Sequence, residues 1–156
     1  MRKYLLTTIL TLGIAVVGFS QFKFGAGLTA DIDDGFIGIN AKGKYFVNDE
    51  YAGQATFTYF FEDDNIQFWN IDLDVHYMGL EIGDVEGFNI TPFAGLHVSR
   101  ANFDIPIGSV SGDTELGINL GVQGTIPITD NLELYIEPKL VIAGMDGFIL
   151  SAGVFF

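Results

Sequence analysis

Side chains along almost every extended segment of this chain alternate between two chemistries, and one of the two sets carries no charge. The stretch WNIDLDVHY (69–77) shows it most plainly: Trp69, Ile71, Leu73, Val75 and Tyr77 alternate with Asn70, Asp72, Asp74 and His76. Successive residues of a strand point to opposite faces, so such a segment presents one apolar and one polar face. Eight segments read this way, at 22–30, 36–46, 51–61, 69–82, 88–100, 114–126, 132–143 and 148–156. Their lengths suit the roughly 9–11 residues that carry a tilted strand across a bilayer.

The uncharged set includes Phe22, Phe24, Leu28, Ile37, Ile39, Leu96, Val98, Leu116, Ile118, Leu120, Leu134, Ile136, Leu140 and Val154. Its aromatic members are Tyr45, Tyr51, Phe57, Tyr59, Phe61, Trp69, Tyr77 and Phe156. A charge facing mid-bilayer costs roughly 2–4 kcal/mol, so the absence of any charge on this face points to hydrocarbon. The opposite face holds Lys23, Lys42, Lys44, Gln54, Thr56, Thr58, Asp72, Asp74, His76, His97, Ser99, Glu115, Asn119, Gln123, Glu133, Glu137 and Lys139, with glycines interspersed. A water-soluble barrel has the reverse arrangement, apolar inside and polar outside. The pattern therefore predicts an all-β chain folded as an eight-stranded antiparallel up-and-down transmembrane β-barrel. The apolar aromatics face lipid, and Lys23, Lys42, Lys44, Asp72, Asp74, His76, His97, Glu115, Glu133, Glu137 and Lys139 form a polar network in the lumen. Eight strands leave an interior just wide enough for side chains, so these groups are expected to pair into a plug rather than line an open pore.

Composition narrows the reading further. Apolar residues make up 49% of the 156 residues while the formal charge is −13, an apolar content that a water-shielded core does not explain at such charge. The absence of cysteine excludes disulfides, iron–sulfur clusters and thiolate zinc sites. The acidic balance excludes nucleic acid as a partner. The opening MRKYLLTTILTLGIAVVGFSQ has a basic start, an apolar run to Val17 and small residues Gly18 and Ser20, the three parts of a secretory signal peptide. The expected division is a signal peptide at 1–20 and a barrel domain at 21–156. Cleavage removes Arg2 and Lys3 and no acid, taking the formal charge from −13 to −15. No later run is long enough for a spanning helix, so entry into a membrane requires a closed barrel.

Loop lengths add orientation. With both termini on the periplasmic side, outward connections hold about 5, 7, 13 and 4 residues and inward ones about 4, 5 and 5, the longer-outside arrangement of outer-membrane barrels. The longest expected loop is 101–113. Pro92 and Pro138 fall inside strands and are expected at bulges or strand ends, since a closed barrel has no free edge for a missing N–H. After Met78 the alternation slips, with Leu80 and Ile82 on the inward set.

TELGINLGVQGTIPITDNLELYIEPKLVIAGMDGFILSAGVFF (114–156) and AKGKYFVNDEYAGQATFTYFF (41–61) resemble strands of the small outer-membrane β-barrel proteins of the OmpA/OmpX-like porin superfamily of Gram-negative bacteria. The resemblance covers 21–156. It implies residence in the cell outer membrane after signal-peptide cleavage and contact with outer-membrane lipid and lipopolysaccharide. It also implies insertion by the outer-membrane assembly machinery, which reads a terminal signal such as AGVFF ending in Phe156. It implies a monomer with no cofactor and no enzymatic activity, serving a structural or surface-interaction role. A conduit for small solutes or hydrophobic compounds is the alternative. The peptidoglycan-binding domain of larger members is not expected.

His97 and Ser99 share a face of one strand, a spacing similar to that of the catalytic pair in lipid A deacylases, where Glu115 or Glu133 would be the completing acid. Arg100 stands where those enzymes have Asn, and the register turns both residues into the lumen. A lumenal hydrogen-bonding role is therefore expected instead. DIDD (31–34) and EDD (62–64) are carboxylate-rich but lack a calcium-loop spacing and read as solvated loops. His76 and His97 have no further His or Cys to complete a zinc site, so no metal is expected.

Overall fold

The computed structural model describes residues 21–61, 66–80, 87–105, 108–143 and 146–156; at 66–67, 102–105 and 108–113 it describes the backbone alone. The expected signal peptide at 1–20 and the EDD stretch at 62–64 lie outside these residues. Eight strands run in order: β1 (Phe22–Asp31), β2 (Ile37–Phe46), β3 (Tyr51–Phe60), β4 (Ile66–Tyr77), β5 (Asn89–Ile105), β6 (Gly108–Thr129), β7 (Leu132–Ile142) and β8 (Gly147–Phe155). Each pairs antiparallel with its neighbours and β1 pairs with β8, so the sheet closes on itself. Among the described residues there is no helix.

The alternation drives this closure. In β4, Asn70, Asp72, Asp74 and His76 are buried while Ile71, Leu73, Val75 and Tyr77 are exposed. The same rhythm runs around the barrel, leaving Leu28, Ile39, Phe57, Leu96, Ile118 and Ile136 outside. Leu116 is 72% exposed and Leu28 and Leu96 are each 62% exposed, values that suit a hydrocarbon solvent and not water. A one-residue slip would turn every strand inside out, so the two-sided pattern fixes the register.

The interior is not uniformly polar. Phe60 stacks on buried Phe68 with centroids 4.0 Å apart, and Phe36 meets Phe68 edge-on, toward the end away from the termini. Buried Phe93 and Phe155 lie toward the termini, stacked on His76 and packed on Tyr135 respectively. The inward glycines mostly serve these rings: a Cβ on Gly25 would strike the Phe155 ring, and one on Gly121 the Phe93 ring. Lysine side chains are not what most of them make room for.

Three expectations about boundaries need correction. The stretch 101–113 is not a loop, because β5 and β6 continue as a paired ribbon to Ile105↔Gly108. The loop asymmetry goes with it, since the connection between β4 and β5 spans 78–88 and is longer than any connection at the opposite end. β4 stops at Tyr77, which explains the slip after Met78: exposed Leu80 is no longer in a strand. Ile82 lies outside the described residues.

Neither Pro92 nor Pro138 sits at a bulge. Pro92 falls one residue past the last β4–β5 pair, His76↔Phe93, so β4 has no ladder position there to lose. Pro138 interrupts the β6–β7 ladder between Gly121↔Lys139 and Gly124↔Ile136, with the register unchanged on both sides. The register shifts lie instead at Arg100/Asn102 and Pro127/Thr129.

Leu73 is exposed midway along β4, opposite outward-facing Ala55 and Leu96. Leu73→Arg is expected to lower the free energy of folding into lipid vesicles by roughly 2–4 kcal/mol. Urea titration of membrane-folded protein reads this, and an unchanged midpoint would remove the hydrocarbon assignment of that face.

Candidate functional site

The lumen is the one place where the fold concentrates reactive side chains. Inward positions of all eight strands deliver them, and cross-strand distances inside an eight-stranded barrel are short enough for direct contact. Lys42 on β2 reaches across to β7, where its Nζ donates to Glu137 Oε1 at 2.6 Å with both side chains buried. Glu137 Oε2 also accepts from Gln54 Nε2 at 3.1 Å and Gln123 Nε2 at 2.5 Å. Gln123 Nε2 donates to Gln54 Oε1 at 3.0 Å, and Gln123 Oε1 in turn accepts from Lys44 Nζ at 2.7 Å. The Glu137 carboxylate thus accepts three hydrogen bonds, one of them from a lysine, and such pairing and bonding lower the cost of burying its charge.

A second cluster centres on Asp72. Its Oδ2 accepts from Lys139 Nζ at 2.5 Å. Its Oδ1 accepts from His97 Nδ1 at 2.6 Å and Asn119 Nδ2 at 3.0 Å. Asn119 Nδ2 also donates to Asp74 Oδ1 at 3.0 Å. His76 Nδ1 lies 3.4 Å from Thr91 Oγ1, which donates to the Gln123 carbonyl.

A third chain of bonds crosses between β7 and β1. Tyr135 Oη donates to Asn40 Oδ1 at 2.6 Å, Asn40 Nδ2 donates to Thr29 Oγ1 at 2.7 Å, and Thr29 and Ser151 hydroxyls are 3.0 Å apart. The Tyr135 ring passes over the β1–β8 seam only because Gly27 and Gly153 lack side chains there; a Cβ on either would meet its hydroxyl.

The inward residues named from sequence divide accordingly. Lys42, Lys44, Asp72, Asp74, His76, His97, Glu137 and Lys139 are buried within these clusters. Lys23 and Glu133 pair at 2.6 Å but are half-exposed at the end of the lumen near the termini. Glu115, level with Ser99 at the other end, is exposed and outside the network. Asn70 is buried as its place on the polar face of 69–77 implies, and Thr29, Asn40, Tyr135 and Ser151 also belong to the interior. Their even spacing from the inward residues of their own strands was the available signal.

The outward aromatics lie on the surface: Tyr45, Tyr51, Phe57, Phe61 and Tyr77 are exposed and Tyr59 and Trp69 half-buried. Tyr51 packs on Tyr77 and Phe57 on Trp69 across adjacent strands. Phe156 is exposed, with its backbone joined in both directions to Phe24.

His97 and Ser99 are both buried in the lumen, and the acid on His97 is Asp72 rather than Glu115 or Glu133. Asp72 is already shared with Lys139 and Asn119, so the pair is built into a structural cluster. Among the described residues no group of three or more His, Asp or Glu side chains is placed to hold a metal ion.

The same architecture occurs in outer-membrane proteins of known structure. The N-terminal β-barrel domain of Pseudomonas aeruginosa OprF superposes with a TM-score of 0.71 at 14% identity, covering 87% of this chain and 96% of that one. Neisserial surface protein A gives 0.63 at 15% identity over 86% and 93% of the two chains. The attachment invasion locus protein Ail of Yersinia pestis gives 0.54 at 16% identity over 87% and 97%. No family model and no curated protein matches the sequence. The fold is that of the small eight-stranded outer-membrane barrels of OmpA/OmpX-like type.

Leaving a buried charge unpaired costs about 3–5 kcal/mol, far more than losing the pair as a unit. Lys42→Met is therefore expected to destabilise the barrel by that order. Lys42→Met combined with Glu137→Gln should recover most of the loss. The temperature at which the folded band disappears on a denaturing gel measures both, and equal loss in the single and double variants would contradict the pairing.

Proposed function

We propose that this protein is an integral component of a Gram-negative outer membrane whose barrel is a sealed support and whose working surface is the end away from the termini. The observation that carries the reading is the interior. Ion pairs cross the lumen from β2 to β7 and from β4 to β7, amide hydrogen bonds join β3 and β6 to β7, and stacked Phe60 and Phe68 lie toward one end above them. An interior filled in this way suits a plug and leaves no continuous route for solute.

The β5–β6 ribbon supports a surface-interaction role. The first β6–β7 pair is Ile118↔Ile142, so residues 108–111 and 114–117 of β6 have a ladder partner in β5 but none in β7 among the described residues. Such an edge offers backbone N–H and C=O groups to an extended segment of another molecule. With the termini on the periplasmic side this edge stands outside the cell. Outer-membrane lipid and lipopolysaccharide surround the apolar belt, and the assembly machinery reads the terminal Phe156. Within this reading the chain acts as a monomer without cofactor, and the His97–Asp72 contact is structural. A lipid-cleaving role is disfavoured because His97 and Ser99 turn away from the lipid.

Single-channel recording in planar bilayers tests the sealed lumen. Negligible conductance is expected, and steady, sizeable openings would favour the porin-like alternative. Lipid A mass spectra from cells with and without the protein should show the same acyl count.

A further inference from the structure

Along the outward face of β3, Tyr51 and Phe57 are bulky and the two outward positions between them, Gly53 and Ala55, are small. Gly53 lies in register with Tyr45 on one side and Val75 on the other, and Ala55 with Gly43 and Leu73. Exposed Leu73 and Val75 stand as a wall beside a floor of Gly43, Gly53 and Ala55. On the opposite side the Phe22 ring lies against Gly43, where a Cβ would meet it at 3.2 Å. The result is a groove of about 390 Å³ in the membrane-facing wall. A Cβ on Gly53 would meet nothing within 4 Å, so the floor is open to what surrounds the barrel.

The groove is continuous with the apolar belt that faces hydrocarbon. Apart from the Tyr45 hydroxyl, which donates to Gln21 Oε1, the outward side chains around it are apolar, and such a space does not hold water. A lipid chain laid in it touches protein on its flanks as well as beneath, and dispersion contacts grow with the number of neighbouring atoms.

Charge selects the lipid. The turn joining β2 to β3, at the near end of the groove, carries exposed Asp49 and Glu50. Asn48 Oδ1 holds that turn by accepting from the Glu50 and Tyr51 N–H groups. Tyr51 packs on Tyr77 at the same level, and tyrosine rings of this kind sit where headgroups begin. Lys23, the lysine at this end of the barrel, is already paired with Glu133. An anionic headgroup would therefore meet two carboxylates here, whereas an ammonium would be drawn to them.

We propose that the groove over β2, β3 and β4 binds one acyl chain of a phospholipid whose headgroup carries an ammonium, with the chain over Gly53 and Ala55 and the ammonium against Asp49 and Glu50. Lipid A, whose headgroup bears phosphates, is repelled by the same two acids. The site rests on the membrane-spanning barrel and not on the sealed lumen or the surface role, so its test and theirs fail separately.

The test is native mass spectrometry of the folded barrel in mild detergent, titrated with dioleoyl phosphatidylethanolamine and, separately, with dioleoyl phosphatidylglycerol. The first is expected to give a single adduct at concentrations several-fold below those the second requires. Gly53→Leu, whose Cβ meets nothing, should keep the heat-modifiable band and lose the adduct. Ala55→Leu fills the same floor and replaces it if the first variant does not fold. Asp49→Asn combined with Glu50→Gln should retain the adduct and abolish the headgroup preference. Ala30→Leu, outward at the other end of β1, should change neither. No adduct, an adduct undiminished in the floor variants, or equal binding of the two lipids by the unsubstituted barrel would overturn the proposal. So would a two-barrel species in place of the lipid adduct, since a second copy would then be what covers the groove.

Discussion

Hydrogen bonding between β1 and β8 is the contact on which the rest depends. An open sheet has two edges of unpaired N–H and C=O groups, each costly in hydrocarbon, and closure removes both. The β1–β8 seam runs from Gly25↔Phe155 to Asp31↔Ile149 and is completed by the two-way backbone bonds of Phe24 and Phe156. Once the seam is formed, inside and outside become different solvents. Every strand must then sort its side chains between them. At the seam, Gly27 opposite Gly153 is what lets Tyr135 span it.

Closure also dictates the electrostatics. Lysine side chains that a soluble protein would spread over its surface are turned inward here, and they meet Asp72, Glu133 and Glu137. These buried charges persist because Glu137 and Asp72 are each matched by a lysine and accept further hydrogen bonds. On the wall formed by β4, β5 and β6, Asp74 is bonded to the Asn119 amide. The aromatic ends confine both clusters: Phe60 with Phe68 on one side, Phe93 with Phe155 on the other.

The likeness to OprF, Neisserial surface protein A and Ail is one of backbone, at identities of 14–16%. Such divergence is what the physics allows. A barrel of this kind demands an apolar outer face and a mutually satisfied inner one, and many sets of residues meet both demands. The projection of β5 and β6 beyond the β7 end is a feature of a different sort, since barrel stability does not require a strand to outrun its neighbour. It is where this chain has spent backbone on something other than spanning.

Strand number, facing and closure were legible in the sequence because they follow from a period of two and from the exclusion of charge from one face, both local properties. Local pattern could also place Asp72, His97, Glu137 and Lys42 inside. It could not say that Lys42 meets Glu137 or that His97 meets Asp72, because those partners lie far apart along the chain and are joined only by the strand order and register. The ribbon at 101–113 was misread as a loop since its turn-forming and polar residues look alike whether or not two strands pair through them. Pro92 lies at a ladder end, as expected, but Pro138 falls inside a ladder whose register is the same on both sides, a context set by the pairing of distant strands. What each residue faces was written in the residue and its nearest neighbours; what each residue touches was decided by closure, which brings distant strands within one side chain's reach.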